Sequence, residues 1–247
     1  MNKQSPAAGA QKKFDFSPPR ARPFLAHVPF EIDSYEEGVA RFFQRRTGLD
    51  YYATIDRIVE FVINTRRGRV VDLVTDTGVL ALRLAGRKAF SGRVYSFDSN
   101  ITLLERARQR ASHLKVGDAI DFRQSEDGRI PVADGFAEIV VSVFDFHRHA
   151  AEQFLAETRR LLAPEGHLLL AELIERRSAR NRLEREWRRF RLRYLEKKPA
   201  EADAVYYDRE EMIAMVFRAG FRQVILQGLK APESRDDGVF TLIAATR

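Results

Sequence analysis

The stretch VVDLVTDTGVLALRLA, Val70 to Ala85, reads as a strand, a short polar turn and the start of a helix. An apolar run closes at Asp72, and from Val79 the apolar residues recur at helical spacing. Gly78 is the one glycine of the turn. Val74 and Asp76 stand where a tight strand-to-helix turn commonly needs the backbone freedom that glycine provides.

The same alternation continues on the C-terminal side. Strands are expected at 93–97, 120–122, 138–143 and 167–173, and helices at 79–88, 101–115 and 150–162. Short, continuously apolar strands separated by amphipathic helices predict parallel strands covered on both faces and joined by right-handed crossovers. Towards the end, a helix at 209–219 precedes strands at 222–227 and 239–245, and a last strand that returns without a helix must run antiparallel. Upstream, 34–46 and 51–66 read as helices. Five of the nine prolines fall within the first 29 residues, so residues 1–33 are expected to form an extended or disordered arm before a single domain at 34–247.

A chain of 247 residues that is 45% hydrophobic supports one large α/β core. The absence of cysteine excludes disulfides, thiolate nucleophiles and cysteine-ligated metal sites. No apolar run approaches the roughly 18 residues of a membrane span, and the expectation is a cytoplasmic protein without a transmembrane segment. Charge is local: residues 176–198 hold eleven lysines and arginines against three glutamates, a net +8, while the whole chain carries +7. The remainder is therefore near neutral, and any anionic partner must be met by that basic segment.

In such sheets ligands bind beyond the carboxyl ends of the strands, where strand order reverses. Asp72 to Gly78 is the first such end, and Asp98, in YSFDSN, lies 20 residues past Gly78, where an acid can accept hydrogen bonds from a ribose diol. A dinucleotide site would need G-x-G-x-x-G, which GVLALRLAG does not supply.

Five segments in order then resemble the class I S-adenosylmethionine-dependent methyltransferases, in particular the group acting on small molecules. They are VVDLVTDTG, YSFDSNITLLERARQRA, FRQSEDGRIPVADGFAEIVVS, LAETRRLLAPEGHLLLAEL and YYDREEMIAMVFRAGF. The resemblance covers about Tyr51 to Arg247 and implies a Rossmann-like, seven-stranded, mostly parallel sheet with an antiparallel last strand and helices on both faces. It also implies S-adenosylmethionine as cofactor, held by Asp72, Thr77, Gly78, Asp98, Ser99, Ser125, Glu126, Asp127 and Ser142. The chain departs from the family at the turn, where the family has G-x-G-x-G. Val74 is β-branched and disfavours positive φ, so a steric conflict is expected unless the turn is reshaped. Asp76 tolerates the left-handed region, but its carboxylate would face that of the cofactor. At about 5 Å and an effective dielectric of 20 to 80 this repulsion is roughly 1–3 kcal/mol, enough to weaken binding and not to forbid it.

Methyl transfer needs alignment and exclusion of water, and a base only when the acceptor must lose a proton. SVFDFHRHA lies where the family faces the methyl group, and His147 with Asp145 are the candidate catalytic residues. An Asp-x-His-x-His metal site is the weaker alternative, and no metal is expected. Within the basic segment, Ala179, Leu183, Trp187, Phe190 and Tyr194 form one apolar stripe on a helix, which suits docking on the body or a lid over an anionic acceptor better than a nucleic-acid surface. The leading expectation is a methyltransferase of a small acceptor with weakened cofactor binding. The alternatives are a catalytically silent binding or regulatory subunit, paired with a protein partner or a second copy, and a nucleic-acid-associated protein.

Overall fold

The computed structural model describes residues 34–125, 129–174, 205–229 and 240–247. The arm at 1–33, the basic segment at 176–198 and the site candidates Glu126 and Asp127 lie outside the described residues.

Seven strands form one sheet in the order β3-β2-β1-β4-β5-β7-β6. In chain order they are β1 (Arg69–Asp72), β2 (Arg93–Asp98), β3 (Ile120–Gln124), β4 (Ala137–Val143), β5 (Leu162–Leu173), β6 (Arg222–Leu229) and β7 (Phe240–Thr246). The first five pair in parallel, and β7 runs antiparallel to both β5 and β6, as expected of a final strand that returns directly. Helices α1 (Ser34–Thr47), α2 (Tyr51–Asn64), α3 (Val79–Ala85), α4 (Ile101–His113), α5 (Ala151–Leu161) and α6 (Arg209–Arg218) complete the described fold.

The two-residue period of the strands splits the core. Val70, Val94, Ile139 and Leu169 face α1, α2 and α3, whereas Val71, Val140, Leu168 and Leu170 face α5 and α6. Every inner strand is thus apolar on both sides, the pattern of a parallel sheet covered twice. Helix α2 is held by its stripe: Ile55, Ile58, Val59 and Val62 are almost wholly buried, and each such side chain stabilises by about 1.5–3 kcal/mol relative to exposure. Its start is fixed by Asp50, whose side chain accepts the Ala53 amide at 2.7 Å. Asp56 of α2 also takes Arg83 of α3 at 2.8 Å and Arg87, just past it, at 2.9 Å, which clamps the two helices together.

Most boundaries differ from expectation by one or two residues, and two differ by three or more. Helix α3 stops at Ala85, with Gly86 as its C-cap, rather than at Lys88. Strand β5 starts at Leu162 rather than His167, because Leu162 pairs with Ala137 before the register shifts and His167 pairs with Ile139. The chain makes that shift through Glu165, φ 60°, and Gly166, where a Cβ would lie 2.9 Å from the Ala163 carbonyl oxygen. Strand order reverses between β1 and β4, and their carboxyl ends open onto one cavity.

Candidate active site

The cavity measures about 2040 Å³, beyond the roughly 300–1,000 Å³ of an ordinary small-molecule pocket. It has space for two ligands side by side. One wall is built by β1, β2 and the turns after them, and another by the end of β4 with α1 and α2.

On the first wall, Asp98 ends β2 and is 6% exposed. Its Oδ2 accepts the Asp76 amide and its Oδ1 the Asn100 amide, each at 2.8 Å. The helix cap here is Asn100, whose side chain accepts from Thr102 and Leu103, so Asp98 is a buried acid tied to the β1–α3 turn. An ionised carboxylate has about four lone-pair sites, so two remain for hydroxyl donors in the cavity. Burial first, and the neighbouring Asp98 charge second, push the Asp72 carboxyl well above the ordinary carboxylate range. The same two causes oppose a full negative charge on Asp72 beside Asp98. Ser99 and Ser125 also line this wall, and the Ser125 amide donates to the Asp98 carbonyl at 3.0 Å.

The turn between them is reshaped. Its left-handed residues are Asp76, φ 49°, and Gly78, φ 82°. Val74 is not among the positive-φ residues, so the expected backbone conflict is relieved by moving the strained position two residues along. Gly78 is required twice over, since a Cβ there would also meet Ala107 Cβ at 3.0 Å. Gly78 is absent from the cavity lining, and its role is conformational. Thr77 lines the cavity, but its hydroxyl is donated to Glu36 of α1 at 2.8 Å. Ser142 is fully buried and does not line the cavity; its hydroxyl has no hydrogen-bond partner among the described residues.

At the other end, β4 leaves the sheet through Phe144, whose φ of 59° is costly for an aromatic residue. Its amide donates to the Ala171 carbonyl at 2.9 Å, and its ring packs on Phe43 of α1 at 4.8 Å and Tyr51 of α2 at 6.1 Å. These aromatic pairs offset strain of about 1–3 kcal/mol. A short 3₁₀ turn, Phe146–Arg148, follows. His147 lines the cavity and is 8% exposed, with Nδ1 3.1 Å from Glu172 Oε1 and its ring stacked on Tyr206 at 4.8 Å. The carboxylate accepts the Nδ1 proton and so leaves the lone pair on Nε2. Asp145 instead bonds His149 Nε2, and this hydrogen bond raises the His149 pKa. The two histidines therefore have separate acids, Glu172 and Asp145, rather than converging on one metal position. Among the described residues no group of three or more His, Asp or Glu side chains could hold a metal ion.

Sequence reading missed Glu172, Tyr206 and Glu36. Glu172 had a signal, a lone acid inside the apolar strand HLLLAEL, since carboxylates are rarely buried unless partnered. Glu36 had none, because an acid in the first turn of a helix reads as a favourable end charge.

Residues 70–166 match the family model described as a methyltransferase domain. A demethylmenaquinone methyltransferase of Thermotoga maritima is 32% identical over 119 residues, 48% of this chain and 49% of that protein. The chain spans about half the length of the curated relatives it matches. Among solved structures, an S-adenosylmethionine-dependent methyltransferase of Thermotoga maritima superposes with a TM-score of 0.59 at 20% identity, over 87% of this chain and 97% of that one. A geranyl diphosphate methyltransferase solved with S-adenosylmethionine gives 0.59 at 15% identity, over 89% and 93%. The strand order and the matched span agree: residues 70–166 are similar to a methyltransferase domain, and the seven-stranded sheet has the fold of these solved S-adenosylmethionine-dependent methyltransferases.

Proposed function

We propose that the chain transfers a methyl group from S-adenosylmethionine to a small acceptor that gives up a proton to His147. The observation that carries this reading is the placing of Asp98 and His147 on the walls of one cavity, after β2 and β4, with Glu172 of β5 behind the His147 ring.

The residues present fit the cofactor. Asp98 retains acceptor capacity for a ribose diol, with Ser99 and Ser125 beside it. Glu126 and Asp127, outside the described residues, are proposed to border the adenine. Burial and the nearby Asp98 disfavour a second anion at Asp72. When bound, the sulfonium supplies an electrophilic methyl carbon, whose bond to sulfur breaks as the acceptor bonds to it. His147 Nε2 takes the acceptor's proton, and Glu172 holds the ring in the required tautomer and stabilises the imidazolium that forms. Asp145 holds His149 and acts on the acceptor only through it.

The aromatic wall of Phe43, Tyr51 and Phe144 suits a flat ring, and the relatives' name points the same way, towards a hydroxylated ring related to a quinone precursor. A second reading, a silent binding subunit, is favoured by one observation: an aspartate, Asp76, lines the cavity from the turn. Calorimetry with S-adenosylhomocysteine, together with transfer of labelled methyl to a hydroxynaphthalene, separates the two. Binding with transfer that requires His147 is expected; binding without any transfer would favour the silent subunit, and no binding would remove the enzyme reading.

A further inference from the structure

Helix α1 sends one buried carboxylate into three other elements. Glu36, 5% exposed, accepts the Thr77 hydroxyl of the β1–α3 turn at 2.8 Å, Arg110 of α4 at 2.6 Å and the Tyr52 hydroxyl of α2 at 3.0 Å. The same Arg110 nitrogen donates to the Thr77 carbonyl at 2.9 Å, so both polar ends of that turn residue are held. Burial first, and the Glu36 charge second, push the Tyr52 phenol up, which keeps it protonated as a donor.

Thr77 sits between the two left-handed residues, Asp76 and Gly78. In a turn with a single glycine that shape is not favoured locally and must be imposed from outside. Asp98 imposes it from the β2 side through the Asp76 amide, and Glu36 from the α1 side through Thr77. Helix α1 also brings Gly38, Val39, Phe42 and Phe43 to the wall of the same cavity. Seating α1 and setting the turn are therefore one event, joined at a single carboxylate.

We infer that Glu36 is a positioning residue for the cofactor: through Thr77 and Arg110 it holds the glycine-poor turn in its binding shape and makes cofactor affinity depend on the seating of α1. The inference rests on the cofactor reading above. Linkage makes the dependence mutual, so a bound cofactor also holds α1 in place.

Calorimetry on the full chain with S-adenosylhomocysteine tests it. Glu36→Gln keeps the size and an acceptor for Tyr52 but removes the charge, and should raise Kd by about tenfold or more. Thr77→Val should raise it in the same direction, and decides the matter if Glu36→Gln does not fold. Asp56→Asn breaks the α2–α3 clamp outside the cavity and should lower Tm while leaving Kd in place, which distinguishes positioning from general loosening. An unchanged Kd in a folded Glu36→Gln chain overturns the inference. Hydrogen exchange without cofactor reads the turn itself: faster exchange at Thr75 to Val79 in Glu36→Gln is expected, and equal protection overturns the inference too. That second readout holds even if the wild-type chain takes no S-adenosylhomocysteine, the result that sinks the cofactor reading instead.

Discussion

The two ends of the cavity differ in the side chains that partner their acids. At the β2 end, Asp98 is fixed by main-chain amides, from Asp76 and Asn100. At the β4–β5 end, Glu172 also accepts main-chain amides, from His147 at 3.4 Å and Leu173 at 2.8 Å, but it and Asp145 each hold a histidine ring as well. Amides carry no proton that titrates in the working range, whereas imidazoles do. The second end thus pairs its acids with groups able to take up and release a proton. That division matches a cofactor bound by geometry and an acceptor activated by a base.

The largest effect should come from the proton-exchanging end. His147→Gln removes the base, and kcat should fall about 10²–10⁴-fold, with little change in the calorimetric Kd for S-adenosylhomocysteine. Glu172→Gln should cost less and shift the pH–rate profile, because the ring keeps a hydrogen-bond partner but loses the charge behind it. If His147→Gln weakened cofactor binding as much as turnover, the two ends would not be separate.

Asp98→Ala should act the other way. Two backbone amides lose a charged acceptor, and any ribose diol loses its partner, so the cofactor Kd should rise about a hundredfold or more. Adenosine and the whole cofactor should suffer alike. Retention of tight binding by this variant, measured by the same titration, would remove the β2 end from the site.

The third test sharpens the role of the turn. Asp76→Gly retains the amide that Asp98 accepts, relieves a left-handed aspartate, and removes an acidic residue from the cavity lining. The charge term alone, roughly 1–3 kcal/mol, corresponds to about 5- to 150-fold tighter binding of S-adenosylmethionine. Val74→Gly should add little, because Val74 is not strained. A gain from Val74→Gly with none from Asp76→Gly would mean that side-chain bulk, not charge, limits this site.

The same division explains what could be read in advance. The parallel strands with an antiparallel last one, and the acid closing β2, are written in local patterns, namely the period of the strands and the distance from Gly78 to Asp98, and both were legible. The reshaped turn was legible as a conflict but not as its solution, since the clamp on Thr77 comes from Glu36, 41 positions away, and from Arg110 of α4. His147 could be named from its place after β4. Its acid could not, because the parallel pairing of β4 with β5 brings together two residues 25 positions apart. Local chemistry announced the residues that touch the cavity more readily than those that hold them in place.

The smallest effect concerns pH and the half-exposed pair at the rim. The hydrogen bond to Asp145 raises His149 above its ordinary value of 6.5, against burial and the nearby Arg148 charge. Between the unfolded and folded values the native chain therefore binds more protons than the unfolded one, and the pair stabilises fully below about pH 6.5 and fades as pH rises through the raised value. The His149 side chain is 41% exposed, so water screens the pair and the contribution is small. His167, at the opposite end of the sheet, has the reverse sign: burial lowers its pKa, so its neutral form favours the fold as pH rises. A melting curve of the wild type alone would mix the two. The informative quantity is the difference in Tm between wild type and His149→Gln across about pH 6 to 8. It should shrink as pH rises and vanish once the imidazole is neutral. A difference that stayed constant would mean that Asp145 holds His149 by shape rather than by charge, and the β4 end would then owe its proton exchange to His147 alone.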